Sequence, residues 1–289
     1  RAVAKYFKEE TIPLRFSYCG NTFINNSSLQ GKMKETTQLG AELIGDRDIE
    51  GDAEVVALAI HLLLESGLTD FQLDIGHVGL FKALVAEAGM DEETVSQLRV
   101  LIESKNYFGV EALVEKLTLS ELLLKLPELF GSGDIIAEAR SMTHNAEALK
   151  ALDEIEKLCQ LIAEYGFEKY ITIDLGMLTE YDYYTGMIFR GYTYGTGDAV
   201  VKGGRYDHLI GQFGKDAASV GFAVVLDELM LALSRQKIDI LTNEEATMVL
   251  YEPEYRSTAI RTANALRNIN QAVSMMKKET DKSLDDYKA

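Results

Sequence analysis

Two tyrosine- and glycine-rich segments constrain the fold of this chain more than any other feature. They are residues 182–186 (Asp-Tyr-Tyr-Thr-Gly) and residues 202–207 (Lys-Gly-Gly-Arg-Tyr-Asp), with a turn predicted between them at 195–198. The pattern around them predicts neighbouring strands, one of them over 181–194, and the paired glycines indicate a close backbone approach. Three phenolic rings and two acids would then lie together. That composition suits a small polar ligand rather than a nucleophile or a metal.

The charge balance of the chain opposes a nucleic-acid partner. Among its 289 residues, 46 are Asp or Glu and 29 are Lys or Arg, which gives a formal net charge of −17, whereas nucleic-acid binding normally needs clustered basic residues. The apolar runs are far shorter than the ~20 residues of a membrane span, and the two cysteines lie far apart, which fits a reducing compartment. We therefore expect a cytoplasmic protein with no membrane and no nucleic-acid partner. The opening Arg-Ala-Val-Ala also suggests that the sequence begins inside a larger protein.

Two alternating stretches near the N-terminus predict an antiparallel hairpin. Side chains alternate with period two over residues 14–23 and 34–45, and a polar loop that includes residues 25–28 joins the two stretches. Gln38 and Glu42 lie four residues apart on one face of the second strand. Their spacing alone is equally consistent with a solvated sheet face.

The remaining pattern predicts an α+β protein, in which an antiparallel sheet is flanked by helices. The first domain covers 1–240 and contains a helical insertion at about 91–166, which is predicted as a block of short helices. After a polar linker, residues 247–289 predict the strand–helix–strand start of a small C-terminal α/β unit. Within the first domain, helices are predicted at 52–66, 79–88 and 227–235, and strands at 71–75, 169–175 and 218–226.

No local motif for catalysis or for a cofactor stands out. The sequence lacks a phosphate-binding P-loop, a dinucleotide-binding glycine motif, a zinc-binding histidine pair and a cysteine cluster. The four histidines (His61, His77, His144 and His208) are scattered, and we expect a structural or surface role for each. The sequence therefore predicts no catalytic residue, no cofactor and no metal site.

Taken in order, these segments resemble histidyl-tRNA synthetases, which are class II aminoacyl-tRNA synthetases. Residues 31–45 resemble the second half of the motif 2 hairpin, residues 182–186 and 202–207 the two histidine-specific motifs, and residues 220–229 motif 3. The order and spacing match from residue 1 to about 235. The resemblance implies a class II synthetase-like sheet whose motif 1 would precede residue 1. It also implies that four side chains contact histidine: Gln38, Glu42, Tyr184 and Tyr206.

The departures from the synthetase pattern fall on the cations that handle ATP. Ile24 takes the place of the motif 2 arginine, Thr179 that of the arginine before Asp-Tyr-Tyr, and Glu228 that of the motif 3 arginine. Adenylyl transfer depends on cations aimed at the charge that develops on phosphate, and losing one such donor typically costs roughly 10²–10³ in rate. The resemblance therefore implies a kept histidine pocket and a lost synthetase activity. It also implies that the ligand carboxylate lacks the partner that Thr179 replaces.

This combination is similar to one group of synthetase paralogues, the regulatory subunits of ATP phosphoribosyltransferase, which residues 21–23, 29–32 and 70–82 also resemble. The group implies a non-catalytic chain that is required for activity and for histidine feedback control of the first step of histidine biosynthesis. The implied partners are the short-form catalytic subunit, a second copy of this chain within a hetero-octamer, and L-histidine as effector. Two alternatives stay open: a scaffold subunit with a vestigial pocket and histidine bound elsewhere, and an active histidyl-tRNA synthetase.

Overall fold

An eight-stranded sheet organises the larger part of the chain. The structure, a computed structural model, describes residues 1–24, 34–114, 121–179, 181–240 and 247–287. It divides into two units, Arg1–Ile238 and Asp239–Ala289. The predicted loop at 25–28 and the linker before residue 247 lie outside the described residues.

The strands of the first unit follow the alternating stretches of the sequence. The predicted hairpin is confirmed, because its two strands pair antiparallel over their full length, from Leu14 opposite Ile44 to Phe23 opposite Glu35. The eight strands are β1 (Leu14–Phe23), β2 (Glu35–Ile44), β3 (Phe71–His77), β4 (Phe130–Gly131), β5 (Ile171–Asp174), β6 (Met187–Thr193), β7 (Val201–Arg205) and β8 (Ser219–Val225).

The strand order across this sheet is β1-β2-β8-β7-β6-β3-β5-β4. Neighbours run antiparallel, as the sequence predicted, except for β3 and β5, which pair parallel. Parallel neighbours need a long crossover connection, and the predicted helical insertion supplies it here because it lies between β3 and β5. The sheet is therefore mixed at the edge where the insertion joins it.

Helices cover one face of the sheet and fill the insertion. Apolar side chains on that face, among them Leu43, Phe189 and Phe222, pack against residues of α2, α8 and α9 in a buried core. The helices of the unit are α1 (Ala2–Tyr6), α2 (Ile49–Glu65), α3 (Val78–Glu87), α4 (Glu92–Glu103), α5 (Tyr107–Val114), α6 (Glu121–Lys125), α7 (Asp134–Ser141), α8 (Ala146–Glu164) and α9 (Leu226–Gln236).

Two sequence predictions about these elements are wrong in detail. The strand expected over 181–194 is shorter, because β6 begins only at Met187 and the tyrosines at 181, 183 and 184 precede it. The backbone there is held by single contacts rather than by a ladder, such as the bond from Thr185 N–H to the Arg205 carbonyl (2.8 Å). The insertion is also not built of short helices alone, since α8 has 19 residues with a continuous buried stripe.

The second unit shows the predicted strand–helix–strand order. It contains β9 (Thr247–Tyr251), α10 (Arg256–Arg267) and β10 (Val273–Lys277). The two strands pair parallel, with Val273 opposite Thr247, so α10 is the crossover that a parallel pair requires.

Candidate functional site

The exposed face of the sheet forms the floor of a candidate site around β2, β8 and β7. Residues directly opposite each other on paired strands project to the same face. Glu42 lies opposite Gly221 and Gly40 opposite Ala223, and Gly221 in turn lies opposite Gly204. Side chains that are small or absent therefore make a shallow floor beside the Glu42 carboxylate, on the face opposite the buried core.

A cavity of about 540 Å³ lies over this floor. All four residues that the synthetase resemblance assigned to histidine contact line it, although they come from distant parts of the sequence: β2, the loop before β6 and the position just after β7. Their roles as histidine contacts stay predictions. The lining residues that carry polar or charged side chains are Arg1, Tyr18, Gln38, Glu42, Tyr181, Tyr183, Tyr184, Lys202 and Tyr206.

Glu42 is the central polar group of the cavity. The Tyr206 hydroxyl donates a hydrogen bond to Glu42 Oε2. Burial raises the pKa of the Glu42 carboxyl to about 7, although this hydrogen bond acts in the opposite direction. Burial also raises the pKa of the Tyr206 hydroxyl, and the negative charge of Glu42 adds to the rise. Near neutral pH the cavity therefore presents a carboxyl group that changes its charge with small changes in its surroundings, beside a phenol that stays neutral.

Glycines let these side chains lie flat against the sheet. A Cβ atom at Gly221 would overlap the Glu42 carboxylate, and a Cβ atom at Gly204 would lie 2.7 Å from Cε1 of Tyr184. Gly221 lines the cavity and Gly204 lies opposite it on β7, so a larger residue at either position would displace a side chain that lines the cavity. The sequence indicated a close backbone approach at residues 203–204, and the structure confirms it.

The tyrosines form a wall of packed rings on one side of the cavity. The ring centroids of Tyr183 and Tyr184 are 4.4 Å apart, and the ring of Tyr183 meets that of Tyr206 edge-on at 6.0 Å. Lys82 of α3 fixes this loop, because its ammonium donates to the Tyr184 carbonyl (3.0 Å). The wall is thus carried by a loop that is tied to the insertion side of the molecule.

The two acids expected beside the tyrosines do not line the cavity. Asp182 is exposed and lies 3.3 Å from Arg99, and Asp207 lies 3.2 Å from Arg205. The expectation was wrong because both carboxylates have cationic partners outside the cavity, whereas Glu42, which comes from the hairpin, supplies the acid inside it.

Arg205 is a buried support rather than a ligand group. Its Nε donates to Asp52 Oδ1 (2.8 Å) and its terminal nitrogens donate to the carbonyls of Asp46 and Asp48. These bonds fasten the end of β7 to the start of α2. Because Tyr206 is the next residue, Arg205 holds the Tyr206 hydroxyl over Glu42. The predicted start of α2 at Asp52 was late, since the helix begins at Ile49 and Asp52 lies in its first turn facing Arg205.

None of the three positions assigned to lost cations carries a positive charge, and they lie in different surroundings. Ile24 follows β1 and is 47% exposed. The Thr179 hydroxyl accepts a bond from Tyr181 N–H (3.2 Å) and lines a second cavity on the same face of the sheet. Glu228 lies in the first turn of α9, and among the described residues its Oε2 is buried without a hydrogen-bond partner.

Among the cavity residues that the sequence reasoning missed are Tyr18 and Lys202. Tyr18 lies opposite Gly40, and burial raises the pKa of its hydroxyl. Lys202 lies opposite Ala223. The period-two alternation of β1 and β7 contains the signal that these side chains share the face of Gln38 and Glu42, but it does not show which strands are neighbours.

The described part of the chain contains neither a metal-binding cluster nor a helix suited to a membrane. No group of three or more His, Cys, Asp or Glu side chains there is arranged to hold a metal ion. No helix there is both long and apolar enough to cross a membrane.

Comparison with known proteins assigns the chain to a family. A family model described as histidyl-tRNA synthetase matches residues 1–229. Two proteins named ATP phosphoribosyltransferase regulatory subunit are similar over nearly all of this chain. The one from Acetivibrio thermocellus is 42% identical over 279 residues, which cover 95% of this chain and 67% of that protein. The one from Clostridium kluyveri is 37% identical over 294 residues, which cover 99% of this chain and 75% of that protein.

A third relative is matched over a smaller share of its length. The protein of the same name from Clostridium acetobutylicum is 41% identical over 239 residues, which cover 81% of this chain and 59% of that protein. The chain thus spans between 59% and 75% of the length of these relatives.

Solved structures show the same relationship. A structure from Bacillus halodurans, described as an ATP phosphoribosyltransferase regulatory subunit/histidyl-tRNA synthetase, is 35% identical with a TM-score of 0.77, and the match covers 99% of this chain and 73% of that one. A histidyl-tRNA synthetase from Nostoc has a TM-score of 0.76 at 18% identity, over 99% of this chain and 69% of that one, which supports the fold alone. The fold is that of the class II synthetases, as the sequence predicted, and the chain belongs to the family of ATP phosphoribosyltransferase regulatory subunits.

Proposed function

We propose that this chain is the non-catalytic, histidine-sensing subunit of a short-form ATP phosphoribosyltransferase, needed both for the activity of the catalytic subunit and for its feedback control. One observation carries the proposal: Gln38, Glu42, Tyr184 and Tyr206, which are widely separated in sequence, line a single cavity over a floor of small residues. The names of the relatives support the regulatory role.

The chemistry of the cavity matches an imidazole. A neutral imidazole carries one donor and one acceptor nitrogen. Glu42 can accept from the donor, and the hydroxyl of a neutral tyrosine in the cavity can donate to the acceptor. The Tyr206 hydroxyl itself donates to Glu42 and so orients that acid. We assign the amino group of the ligand to Gln38, which lies two residues before Gly40 on the same face of β2. A side chain without these two nitrogens would leave the buried groups of the cavity unpaired, and such a site discriminates strongly.

The three positions of the lost cations offer little to a triphosphate. Glu228 places a buried carboxylate oxygen without a hydrogen-bond partner at a position where the synthetase pattern has an arginine. An acid there repels phosphate, whereas adenylyl transfer needs cations aimed at it. Ile24 and Thr179 supply no charge either. We therefore propose that synthetase activity is lost while amino-acid recognition is retained.

Regulation then follows from differential binding. If L-histidine binds one arrangement of the hetero-oligomer better than another, it shifts the population toward that arrangement. The coupling is reciprocal, so assembly with the catalytic subunit must change the affinity of this chain for histidine by the same factor. In the proposed assembly, two copies of this chain pair within a hetero-octamer in the cytoplasm.

The binding step is tested by calorimetry on the full chain. L-histidine is titrated into wild type, into Glu42→Gln and into Glu35→Gln. Glu35 is a matched control, because it lies on the same strand but is exposed and bonded to Asn21 (2.7 Å) outside the cavity. We expect Glu42→Gln to weaken binding at least about tenfold, as expected for losing a hydrogen bond to a charged group, and Glu35→Gln to leave it unchanged. Equal affinities in all three proteins would remove the cavity from this role and favour the vestigial-pocket alternative.

The regulatory step is tested by reconstitution. The short-form catalytic subunit is assayed alone, with the wild-type chain, and with Glu42→Gln, over a series of L-histidine concentrations. The proposal predicts that both chains support transferase activity and that inhibition by histidine needs more ligand with Glu42→Gln. Activity of the catalytic subunit that does not depend on this chain would contradict the proposed role.

A further inference from the structure

Lys202 of β7 lines the candidate cavity on the same sheet face as Glu42. It lies opposite Ala223 on β8, and Ala223 lies opposite Gly40 on β2. Lys202 and Glu42 are therefore two strands apart across the sheet and two residues apart along it. With strand spacings of about 4.8 Å and rises of about 3.4 Å, their Cα atoms are separated by roughly 12 Å. A small amino acid can therefore lie between the ends of the Lys202 and Glu42 side chains.

Two cavities meet at this lysine. The cavity over Glu42 and the second cavity, of about 420 Å³, share three lining residues: Tyr181, Tyr184 and Lys202. Thr179 lines only the second one. Thr179, which takes the place of the synthetase arginine before Asp-Tyr-Tyr, therefore lies beside a different cavity from Glu42. Tyr184 and Lys202 lie at the boundary between these two cavities.

The charges that face Lys202 leave its ammonium partly available. It lies 3.0 Å from Asp198 Oδ1 and is 45% exposed. An ammonium has three donor hydrogens, so one acidic partner does not saturate it. The neighbouring cation on β6, Arg190, is more strongly committed, since it donates to the Leu178 carbonyl (2.6 Å) and lies 3.8 Å from Glu103.

We propose that Lys202 binds the α-carboxylate of the amino acid whose side chain lies against Glu42, and so substitutes for the cation that is absent at Thr179. The inference rests on the proposed function and adds to it a second determinant of specificity, because the site then requires a free carboxylate as well as an imidazole. The carboxylate end of the ligand lies at the mouth of the second cavity, beside Tyr184.

Isothermal titration of the full chain with two ligands tests this. L-histidine carries the carboxylate, and histamine has the same imidazole and amino group without it. The proteins are wild type, Lys202→Met, Lys202→Arg and Lys125→Met. Lys125 is the matched control, because its side chain is 44% exposed and it pairs with an acid, Glu128, at 2.8 Å.

We expect Lys202→Met to weaken L-histidine binding about tenfold, the loss of one charge-assisted hydrogen bond. Lys202→Arg keeps the charge and retains most of the affinity, and Lys125→Met binds as wild type does. Histamine binds wild type and Lys202→Met alike, because it has no carboxylate to lose.

The proposal is overturned if Lys202→Met binds L-histidine within about twofold of wild type, a difference well under 1 kcal/mol. It is also overturned if histamine is weakened by as much as L-histidine, since the lysine would then act on the cavity as a whole. A wild-type chain that binds no L-histidine refutes the proposed function itself. If Lys202→Met binds L-histidine as wild type does and Glu42→Gln still weakens that binding, only the assignment of Lys202 is refuted.

Discussion

The raised pKa of the Glu42 carboxyl predicts how the free energy of unfolding changes with pH. Burial raises its pKa from 4.5 to about 7. In the unfolded chain the same group titrates near 4.5, so the shift of about 2.5 units corresponds to about 3 kcal/mol, at 1.36 kcal/mol for each unit. The ionised form is the one that burial disfavours, and the hydrogen bond from Tyr206 offsets only part of that cost.

The sign of the pH dependence follows from proton counting. Between pH 4.5 and 7 the folded chain keeps a proton on Glu42 that the unfolded chain has released. The contribution of Glu42 to the free energy of unfolding therefore falls as pH rises through this window and levels off above it. Glu42→Gln keeps the shape of the side chain without the titration. Between pH 5 and pH 8, the free energy of unfolding of the variant should therefore rise relative to that of the wild type by about 2 to 3 kcal/mol.

Urea unfolding followed by circular dichroism at pH 5, 6, 7 and 8, without histidine, measures this difference. Other carboxyl groups that titrate in the window, such as Asp74, whose pKa burial raises to about 6, are common to both proteins and cancel. A difference between variant and wild type that stays constant within about 0.5 kcal/mol, the usual limit of additivity, would refute the account of Glu42 as a costly buried acid.

Two further substitutions test the supports of the site by the same unfolding assay. Asp52→Asn should destabilise the chain by about 3 kcal/mol, because it removes the carboxylate partner of the buried Arg205 guanidinium. The control, Asp153→Asn, breaks a surface pair with Arg140 and should cost less than about 1 kcal/mol. Equal costs for the two substitutions would contradict the proposed support role of Arg205. Glu228→Gln should leave stability unchanged or raise it by about 1 kcal/mol, since Oε2 of Glu228 has no hydrogen-bond partner to lose, whereas a loss above 1 kcal/mol would show that the carboxylate is bonded in solution.

The sequence predicted the hairpin and the faces of its strands well, because alternation reports burial directly. Gln38 and Glu42 were placed on one face from period two alone, and both line the cavity. The strand–helix–strand order after residue 247 was predicted for the same reason, since a period change from two to 3.6 marks a change of element.

The tyrosine segment shows where local pattern is insufficient. Three of the residues at 181–184 are tyrosines, which have a high strand propensity, yet they lie in a loop whose rings pack on one another and on a glycine floor. Strand propensity reports how well a side chain fits a half-buried surface. The wall of packed tyrosine rings offers a similar surface, although its backbone forms no strand-to-strand hydrogen-bond ladder. Only the tertiary arrangement distinguishes the two.

The roles of Arg205 and Lys202 depended on strand order. Both lie in β7, but Arg205 finds its partner Asp52 at the start of α2, more than 150 residues earlier in the chain. Lys202 meets the cavity only because β8, which follows it in sequence, lies between β7 and β2. Long-range pairing of this kind leaves no periodic signal, so reading the sequence assigned neither role.

The central claim is that this chain recognises histidine and does not activate it. The most direct measurement is equilibrium binding of radiolabelled L-histidine to the purified full chain in the presence of Mg²⁺ and ATP, followed by chromatographic separation of the bound label. The account predicts that label is bound and is recovered entirely as unmodified histidine. Recovery of the label as histidyl-adenylate, or no bound label at all, would contradict it.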